Sequence, residues 1–213
     1  MKDKNMKTKN IIEWVGGGFI FLAMISLSVV VILNSLFIYK GVVDYYELPY
    51  ITGLTRYALL ENYREIVNYL QFPWIRELHM PDFSMSYEGR VHFEEVKNIF
   101  QVFITIFLLS LITWIIVLVK KIKIFPMFLK AANLVFISCG LISIFLIFDF
   151  SEAFIVFHKL FFNNDYWIFH PSKDPVILAL PEELFMILGI ALLFVLIIQA
   201  IIVKIVGMKK KKN

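Results

Sequence analysis

Two of the four histidines occupy positions next to apolar segments, where a proton-transferring group would lie beside a membrane. His92, in the polar segment RVHFEEVK, lies six residues before Asn98, where a long apolar run begins. That separation is about 9 Å at 1.5 Å per residue of helix. His158 lies among phenylalanines in the short segment Ser151–Phe162. Histidine gives and takes protons at neutral pH because its unperturbed pKa is about 6.5. These positions favour general acid–base catalysis at the depth of phospholipid ester groups.

Other reactive groups are less well placed. His79 and His170 lie near prolines in loops and are expected at the surface, and Cys139 lies inside an apolar run as a small packing residue. Acidic residues near the histidines could add metal ligands, but the chain has no HExxH motif, no histidine pair at i, i+4 and no CxxC. It also lacks a GxSxG motif and a glycine-rich phosphate loop. An acyl-transfer reaction would therefore need a nucleophile supplied by the substrate.

The composition is that of a membrane protein. Of 213 residues, 60% are hydrophobic and 18% charged, against about 45–50% and about 25% in soluble domains. The excess forms four runs without charged residues, each long enough to cross a hydrocarbon core as a helix. They cover residues 14–39, 98–119, 131–148 and 184–203. The sequence thus predicts an all-α integral membrane protein with four transmembrane helices in one membrane domain over 1–213. A soluble enzyme, a nucleic-acid-binding protein and a secreted disulfide scaffold are excluded.

The charges divide unevenly between the two sides of this topology. The two tails and the short turn after the second span carry thirteen basic and two acidic residues, a net charge of +11. The loops at 40–97 and 149–183 carry eight basic and fifteen acidic residues, a net charge of −7. Because basic residues near span ends stay cytoplasmic, both termini are predicted inside and both long loops outside. The terminal lysines, Lys209–Lys212, are expected to meet anionic lipid, not nucleic acid.

The two outer loops are predicted to form a partly helical cap at the membrane surface. Apolar residues recur at helical spacing from Leu59 to Leu70, with Thr55 as N-cap and Phe72–Pro73 as a stop. The segment Arg90–Lys97 continues into the second span as a helical extension that carries His92. The segment Ser151–Phe162 has the pattern of a short helix in the membrane interface.

The chain resembles the lipoprotein intramolecular transacylase (Lit) family of Gram-positive bacteria. The segments that carry the resemblance run through both outer loops: YYELPYITGL, NYREIVNYL, RVHFEEVK and FHKLFFNNDYWIFHPSKDPVILALPEELF. The resemblance implies an acyltransferase of the bacterial plasma membrane that acts on diacylglyceryl lipoproteins at the outer leaflet. It would move the sn-2 acyl chain of the S-diacylglyceryl-cysteine to that cysteine's own α-amine, giving an N-acyl, S-monoacylglyceryl (lyso-form) lipoprotein.

The same resemblance places the family's two functional histidines at His92 and His158. We expect His92 to act as general base on the amine and His158 to stabilise the oxyanion or protonate the departing oxygen; exchanged roles are equally compatible with the sequence. No cofactor is expected, because converting an ester to an amide is downhill, and no metal is expected, because the metal-binding motifs are missing. Glu95, one turn from His92, is a candidate for orienting that ring, and Asn163 or Asp165 for orienting His158.

Two other functions compete with this one. A metal-dependent membrane hydrolase would require a third ligand among the acidic residues and would lose activity with chelators. A non-catalytic accessory protein that packs beside a larger complex would tolerate His92→Ala and His158→Ala at unchanged abundance.

Overall fold

A computed structural model of the chain describes residues 2–122 and 124–211, without the side chains of 2–7, 145–148 and 210–211. Lys123 and Lys212, which belong to the predicted basic segments, lie outside the described residues. Within them the chain forms eight α-helices, one 3₁₀ helix and no strand. The α-helices are α1 (Lys2–Leu33), α2 (Leu36–Tyr45), α3 (Leu48–Thr52), α4 (Arg56–Gln71), α5 (Tyr87–Val119), α6 (Phe125–Phe148), α7 (Phe150–Phe161) and α8 (Glu182–Lys211). The 3₁₀ helix is Pro175–Leu178.

Four helices in the described part of the chain are long and apolar enough to cross a membrane. They are Thr8–Leu33, Tyr87–Val119, Phe125–Ile144 and Glu182–Lys209. The prediction of an all-helical chain with four spans is therefore confirmed at the level of helix length and composition. The inward placement of both termini and the outer cap stay predictions.

The first apolar run is interrupted earlier than the sequence predicts. We predict one span over 14–39, whereas α1 ends at Leu33 and α2 begins at Leu36. Ser35 donates from Oγ to the carbonyl of Val31 at 2.7 Å, and its backbone N–H bonds to the carbonyl of Ile32. Such side-chain bonds to the backbone compete with helical pairing, and the tight backbone bond ends the helix.

The third span begins earlier than predicted, at Phe125 instead of residue 131. The sequence predicts that the span starts only after Lys130, because a charged residue within hydrocarbon is energetically costly. In the structure the Lys130 ammonium lies 4.4 Å from the centre of the Trp14 ring. This cation–π contact accommodates the charge on the helix.

The helices group into two compact units, each with its own core, and the prediction of a single membrane domain stays a prediction. The first unit contains Phe103–Ile147, the chain up to Val30 and the chain from Ala191 onward. Small residues of α6 and α8 are buried in its core, among them Ala131, Ala132 and Ala200. Small side chains let membrane helices approach closely. The resulting van der Waals contacts stabilise helix association in lipid, where there is no hydrophobic driving force between helices. Gln199 also donates to Ser28 Oγ at 2.7 Å within this core.

The second unit contains Val31–Val102 and Phe148–Ile190. Its core is centred on two stacked phenols, Tyr39 of α2 and Tyr63 of α4, whose ring centres are 4.0 Å apart. The Tyr39 hydroxyl donates to the carbonyl of Ala179 at 3.0 Å, beside the 3₁₀ helix. Burial raises the pKa of both phenols, that of Tyr63 to about 12. Both rings therefore stay uncharged at physiological pH, as an apolar core requires.

The helix predicted in the first long loop is α4, and its ends are those the sequence predicts. Thr55 is the N-cap and accepts from the backbone N–H of Ala58 at 3.1 Å, while Phe72 is the C-cap. Just beyond that C-terminus, Lys97 donates to the carbonyls of Phe72 and Ile75. A cation at a helix C-terminus is favourable, because the last carbonyls carry partial negative charge. The contact joins α4 to α5, the helix that carries His92.

Candidate active site

A capping interaction fixes the start of α5, and with it the position of His92. The Asp174 carboxylate accepts from the backbone N–H of Ser86 at 2.7 Å and from its hydroxyl at 2.8 Å. The same hydroxyl accepts from the backbone N–H of Gly89 at 2.9 Å. The first turn of a helix has backbone N–H groups without helical partners, so these bonds set where α5 begins.

His92 lies in an aromatic enclosure and is 8% exposed. Its imidazole packs edge-on against Phe162 at 4.8 Å and against Phe169 at 5.6 Å between ring centres. Its Nδ1 is buried and has no hydrogen-bond partner among the residues that the structure describes. Because buried polar atoms are normally paired, an unpaired ring nitrogen indicates a group that is kept for a ligand or a reaction.

His158 lies in the last turn of α7, where Asp149 caps the other end by accepting from Glu152 N–H at 3.1 Å. The His158 ring is 8% exposed, and its Nδ1 lies 2.7 Å from the carbonyl of Phe154. A carbonyl oxygen can only accept, so Nδ1 carries the proton and Nε2 of the neutral ring keeps a free lone pair. Burial lowers the pKa of His158, opposed by the bond to Phe154.

The two imidazoles face one shared space. Their ring centres are 5.8 Å apart with an interplanar angle of 38°, and Phe162 contacts both. Trp167 stacks on His158 at 4.6 Å and 26°. The site therefore combines two proton-transferring groups with walls of aromatic rings. Such walls exclude water and suit a substrate that carries hydrocarbon chains.

Glu95 follows His92 on α5 and binds a different partner from the one predicted. Its Oε1 accepts from Asn164 Nδ2 at 2.8 Å, and its Oε2 is buried without a hydrogen-bond partner in the described residues. Since Nδ1 of His92 is also unpaired, no bond joins Glu95 to that nitrogen in the part of the chain described. A role for Glu95 in orienting His92 stays a prediction.

The remaining predicted groups lie at the surface. Asn163 and Asp165, which are predicted to orient His158, are exposed, and Nδ1 of His158 is bonded to the carbonyl of Phe154. Their supporting role also stays a prediction. His79 and His170 are exposed, and His170 pairs with Ser172 Oγ at 2.8 Å. Among the described residues, no group of three or more His, Cys, Asp or Glu side chains could hold a metal ion.

The sequence over residues 14–185 matches the family model of the lipoprotein intramolecular transacylase Lit. The chain belongs to the Lit family. The matched range includes α5 and α7, and therefore both buried histidines. Membership makes the chain an acyltransferase-type enzyme of the membrane. No curated protein matches the chain.

Solved Lit structures have the same fold. The chain is similar to the membrane-integral Lit of Bacillus cereus, with a TM-score of 0.87 and 29% identity over 97% of this chain and 98% of that one. Two variants of the same Lit protein also match, one with histidine replaced by arginine and one by alanine. Their TM-scores are 0.78 and 0.79, at 27% and 29% identity. The match to the arginine variant covers 100% of this chain and 99% of the variant. The match to the alanine variant covers 98% of this chain and 97% of the variant.

Sequence reasoning misses two residues of this candidate site: Asn164, which bonds Glu95, and Trp167, which stacks on His158. Both belong to the loop after α7, where no helical periodicity reports which side chains turn inward. One usable signal was the density of aromatic and amide residues in FFNNDYWIF. Such side chains are common at sites that are partly apolar and partly polar.

Proposed function

We propose that this Lit-family protein moves the sn-2 acyl chain of a diacylglyceryl-cysteine to the α-amine of the same cysteine, which yields a lyso-form lipoprotein. The observation that carries the proposal is the convergence of two buried histidines, His92 and His158, inside an aromatic enclosure. The family supplies the substrate class, and these two rings supply groups able to move the proton that the reaction must move.

The reaction is balanced within a single substrate molecule. The amine nitrogen attacks the ester carbonyl carbon, the C–N bond forms and the C–O bond to the sn-2 oxygen breaks. The nitrogen loses one proton and the sn-2 oxygen gains one. Amine and ester already belong to one molecule, so holding them together supplies a large share of the rate. No acyl-enzyme is needed, and a more stable amide replaces an ester without an external energy source.

His158 is the better candidate for the base. Its Nδ1 proton is held by the carbonyl of Phe154, which leaves Nε2 free to accept a proton. Its lowered pKa keeps the ring neutral at neutral pH. The roles of the two histidines are thus exchanged relative to the prediction from the sequence, in which His92 is the base. General-base assistance of this kind contributes about 10²–10⁴-fold.

His92 then protonates the departing sn-2 oxygen. Its ring centre lies 5.8 Å from that of His158, so both rings can face one ester group from the same side. Two cationic imidazoles so close would repel each other in a buried site. His158 takes one proton from the amine and passes it to His92, which delivers it to the sn-2 oxygen, so at most one ring is charged at any moment and both rings end the reaction neutral.

We propose that the reaction takes place at the outer leaflet of the bacterial plasma membrane. The charge distribution supports this, since the loops that contain both histidines carry the net charge of −7 from eight basic and fifteen acidic residues. Lipoprotein acyl chains and the lipidated N-terminus meet in that leaflet, so the ester and amine reach the site together. The substrate is thus a membrane-anchored lipoprotein, with surrounding lipid as the other partner.

The test is mass spectrometry of the N-terminal lipopeptide of a reporter lipoprotein. The host should make only diacylglyceryl lipoproteins, with or without this chain expressed. Acyl transfer leaves the mass unchanged, so fragmentation must locate one acyl chain on the amine. His158→Ala and His92→Ala should each abolish the transfer at equal expression, whereas the exposed control His170→Ala should not.

Two outcomes would overturn the proposal. One is an unmodified diacylglyceryl lipopeptide when the chain is fully expressed in the membrane. The other is acyl transfer that survives both alanine substitutions, which would remove the buried histidines from the mechanism. Loss of an acyl chain from the lipopeptide, without transfer to the amine and prevented by a chelator, would instead favour the metal-dependent hydrolase class.

A further inference from the structure

We propose that the indole N–H of Trp167 binds the carbonyl oxygen of the ester and stabilises the oxyanion that forms there. The inference rests on the proposed acyl transfer and adds an anion-binding group to the same site. Trp167 lies in the loop after α7, and its ring stacks on His158 with 4.6 Å between ring centres.

The indole nitrogen is an unused donor. Trp167 Nε1 is buried and has no hydrogen-bond partner within the described residues. Buried polar atoms nearly always have a partner, and a buried indole N–H usually finds one. The protein fold leaves this donor without an acceptor, which indicates that the substrate supplies one.

Of the unpaired buried atoms around this site, Trp167 Nε1 has the chemistry that an oxyanion requires. The others are Nδ1 of His92 and Oε2 of Glu95. An ionised carboxylate oxygen only accepts and would repel an oxyanion, while a histidine nitrogen changes its role with its protonation state. The indole N–H only donates and keeps its proton at every pH of interest.

The reaction needs such a donor because both histidines are occupied by the proton. When the amine attacks, the C–N bond forms and the π electrons of the carbonyl move onto its oxygen. That oxygen carries the negative charge until the C–O bond to the sn-2 oxygen breaks. A donor already in place, in a water-poor site, stabilises this charge without reorganisation.

The stacking places the donor beside the proposed base. Trp167 contacts His158 face to face, and Phe154 contacts both rings, at 4.1 Å from His158 and 6.5 Å from Trp167. Phe154 also provides the carbonyl that holds His158 Nδ1. Donor and base are therefore held by one cluster, and a single ester can contact both.

The test compares three versions of residue 167 in the full-length protein, in vesicles that contain a diacylglyceryl lipopeptide. Trp167→Phe removes the N–H and part of the ring. Replacement by 3-benzothienylalanine, which has sulfur in place of the N–H, keeps the size and stacking of the ring. Trp74→Phe is the matched control, because Trp74 is 72% exposed and belongs to the same unit.

We expect both changes at residue 167 to lower kcat by about 10²-fold or more, the effect of removing one oxyanion donor. KM should change little, because the charge exists only after the amine has attacked. Trp74→Phe should retain the wild-type kcat. Thermal unfolding of the benzothienyl protein should match that of the wild type, since its packing is preserved.

The outcomes separate this inference from the proposed function. If the wild-type chain fails to move the acyl group, the proposed function is wrong. If the wild type is active and the benzothienyl protein equally so, Trp167 acts only by stacking, and the oxyanion role is wrong. A rise in KM at unchanged kcat would likewise overturn it, since it would indicate ground-state binding alone.

Discussion

Asn164 donates from Nδ2 to Glu95 Oε1 at 2.8 Å, and this bond links the loop after α7 to the helix that carries His92. The loop contains Trp167, and α7 carries His158, so the bond connects the two chain segments that form the site. The hydrogen bond between Asn164 and Glu95 therefore helps to set the distance between the two histidines. Asn164 is therefore expected to act as a positioning residue.

Asn164→Ala should lower the rate of acyl transfer about ten- to a hundredfold, because small displacements of reacting groups are costly. The free energy of unfolding should fall by about 1 kcal/mol, as for an ordinary hydrogen bond. The measurements are initial rates with a diacylglyceryl lipopeptide and thermal unfolding in detergent. Asn98→Ala is the control, because Asn98 is an exposed asparagine of α5 without a predicted role in the site. A rate equal to that of Asn98→Ala would show that the bond does not position the site.

The sequence predicted the helices well because their determinants are local. The ends of α4 follow from the Thr55 cap and the Phe72–Pro73 stop, and the spans follow from runs of apolar residues. The helix bounds differ from the predicted ones where the interaction of a single side chain matters more than the local composition. Ser35 bonds the carbonyl of Val31 and ends the first helix early, while Lys130 lies over the Trp14 ring and continues a helix through a charge.

Of the residues in the candidate site, the sequence selects only His92 and His158 as catalytic groups, and their catalytic role stays a prediction. Histidine is rare near hydrocarbon, so His92 and His158 could be selected by type and depth. The distance between them could not be predicted, since it depends on how two segments far apart in sequence pack. The same limit applies to Asn164 and Trp167, because loop side chains follow no period.

The pH dependence of acyl transfer should report the protonation of His158. Burial lowers its pKa below the ordinary value of about 6.5. The substrate α-amine, with a pKa of about 7.7–8.0, must also be neutral to attack. Just below pH 7.7, log(kcat/KM) should fall with a slope of about one. The slope should increase to about two only at a lower pH, where His158 gains its proton, because its pKa lies below the ordinary value.

A different profile would contradict this role. If protonated His158 were the active form, the curve would be flat between the pKa of His158 and that of the amine, and would fall with a slope of only about one at lower pH. His170→Ala should leave the profile unchanged, since His170 is exposed and lies in a loop. Stability should follow the same sign. The unfolded chain binds the His158 proton more readily, so the free energy of unfolding should decrease as pH falls from about 6.5 through the lower folded pKa.

Gly89→Ala should damage the cap that starts α5. A Cβ at this position would overlap Oδ1 of Asp174, the atom that accepts from Ser86 N–H. Displacing that carboxylate should lower the free energy of unfolding by about 0.5–2 kcal/mol, as for other lost N-caps, and should slow acyl transfer. Thermal unfolding and initial rates measure both effects.

Gly41→Ala is the control for this change, because a Cβ at Gly41 would meet no atom within 4 Å. Alanine in place of an unobstructed helical glycine is stabilising by about 0.4–1 kcal/mol. The two substitutions should therefore shift the unfolding temperature in opposite directions. If both raise it, Asp174 moves without cost and the cap does not fix α5.

Tyr39→Phe should destabilise the core of the second unit without touching the histidines. The substitution removes the donor to the Ala179 carbonyl and leaves that buried acceptor unpaired, at a cost of about 1–3 kcal/mol. Stacking on Tyr63 is retained, so the loss isolates the hydrogen bond. For a chain of this size the unfolding temperature should fall by roughly 2–4 °C per kcal/mol. Tyr45→Phe is the control, because Tyr45 is 81% exposed. Equal unfolding temperatures for the two variants would mean that the Tyr39 hydroxyl contributes nothing to the core.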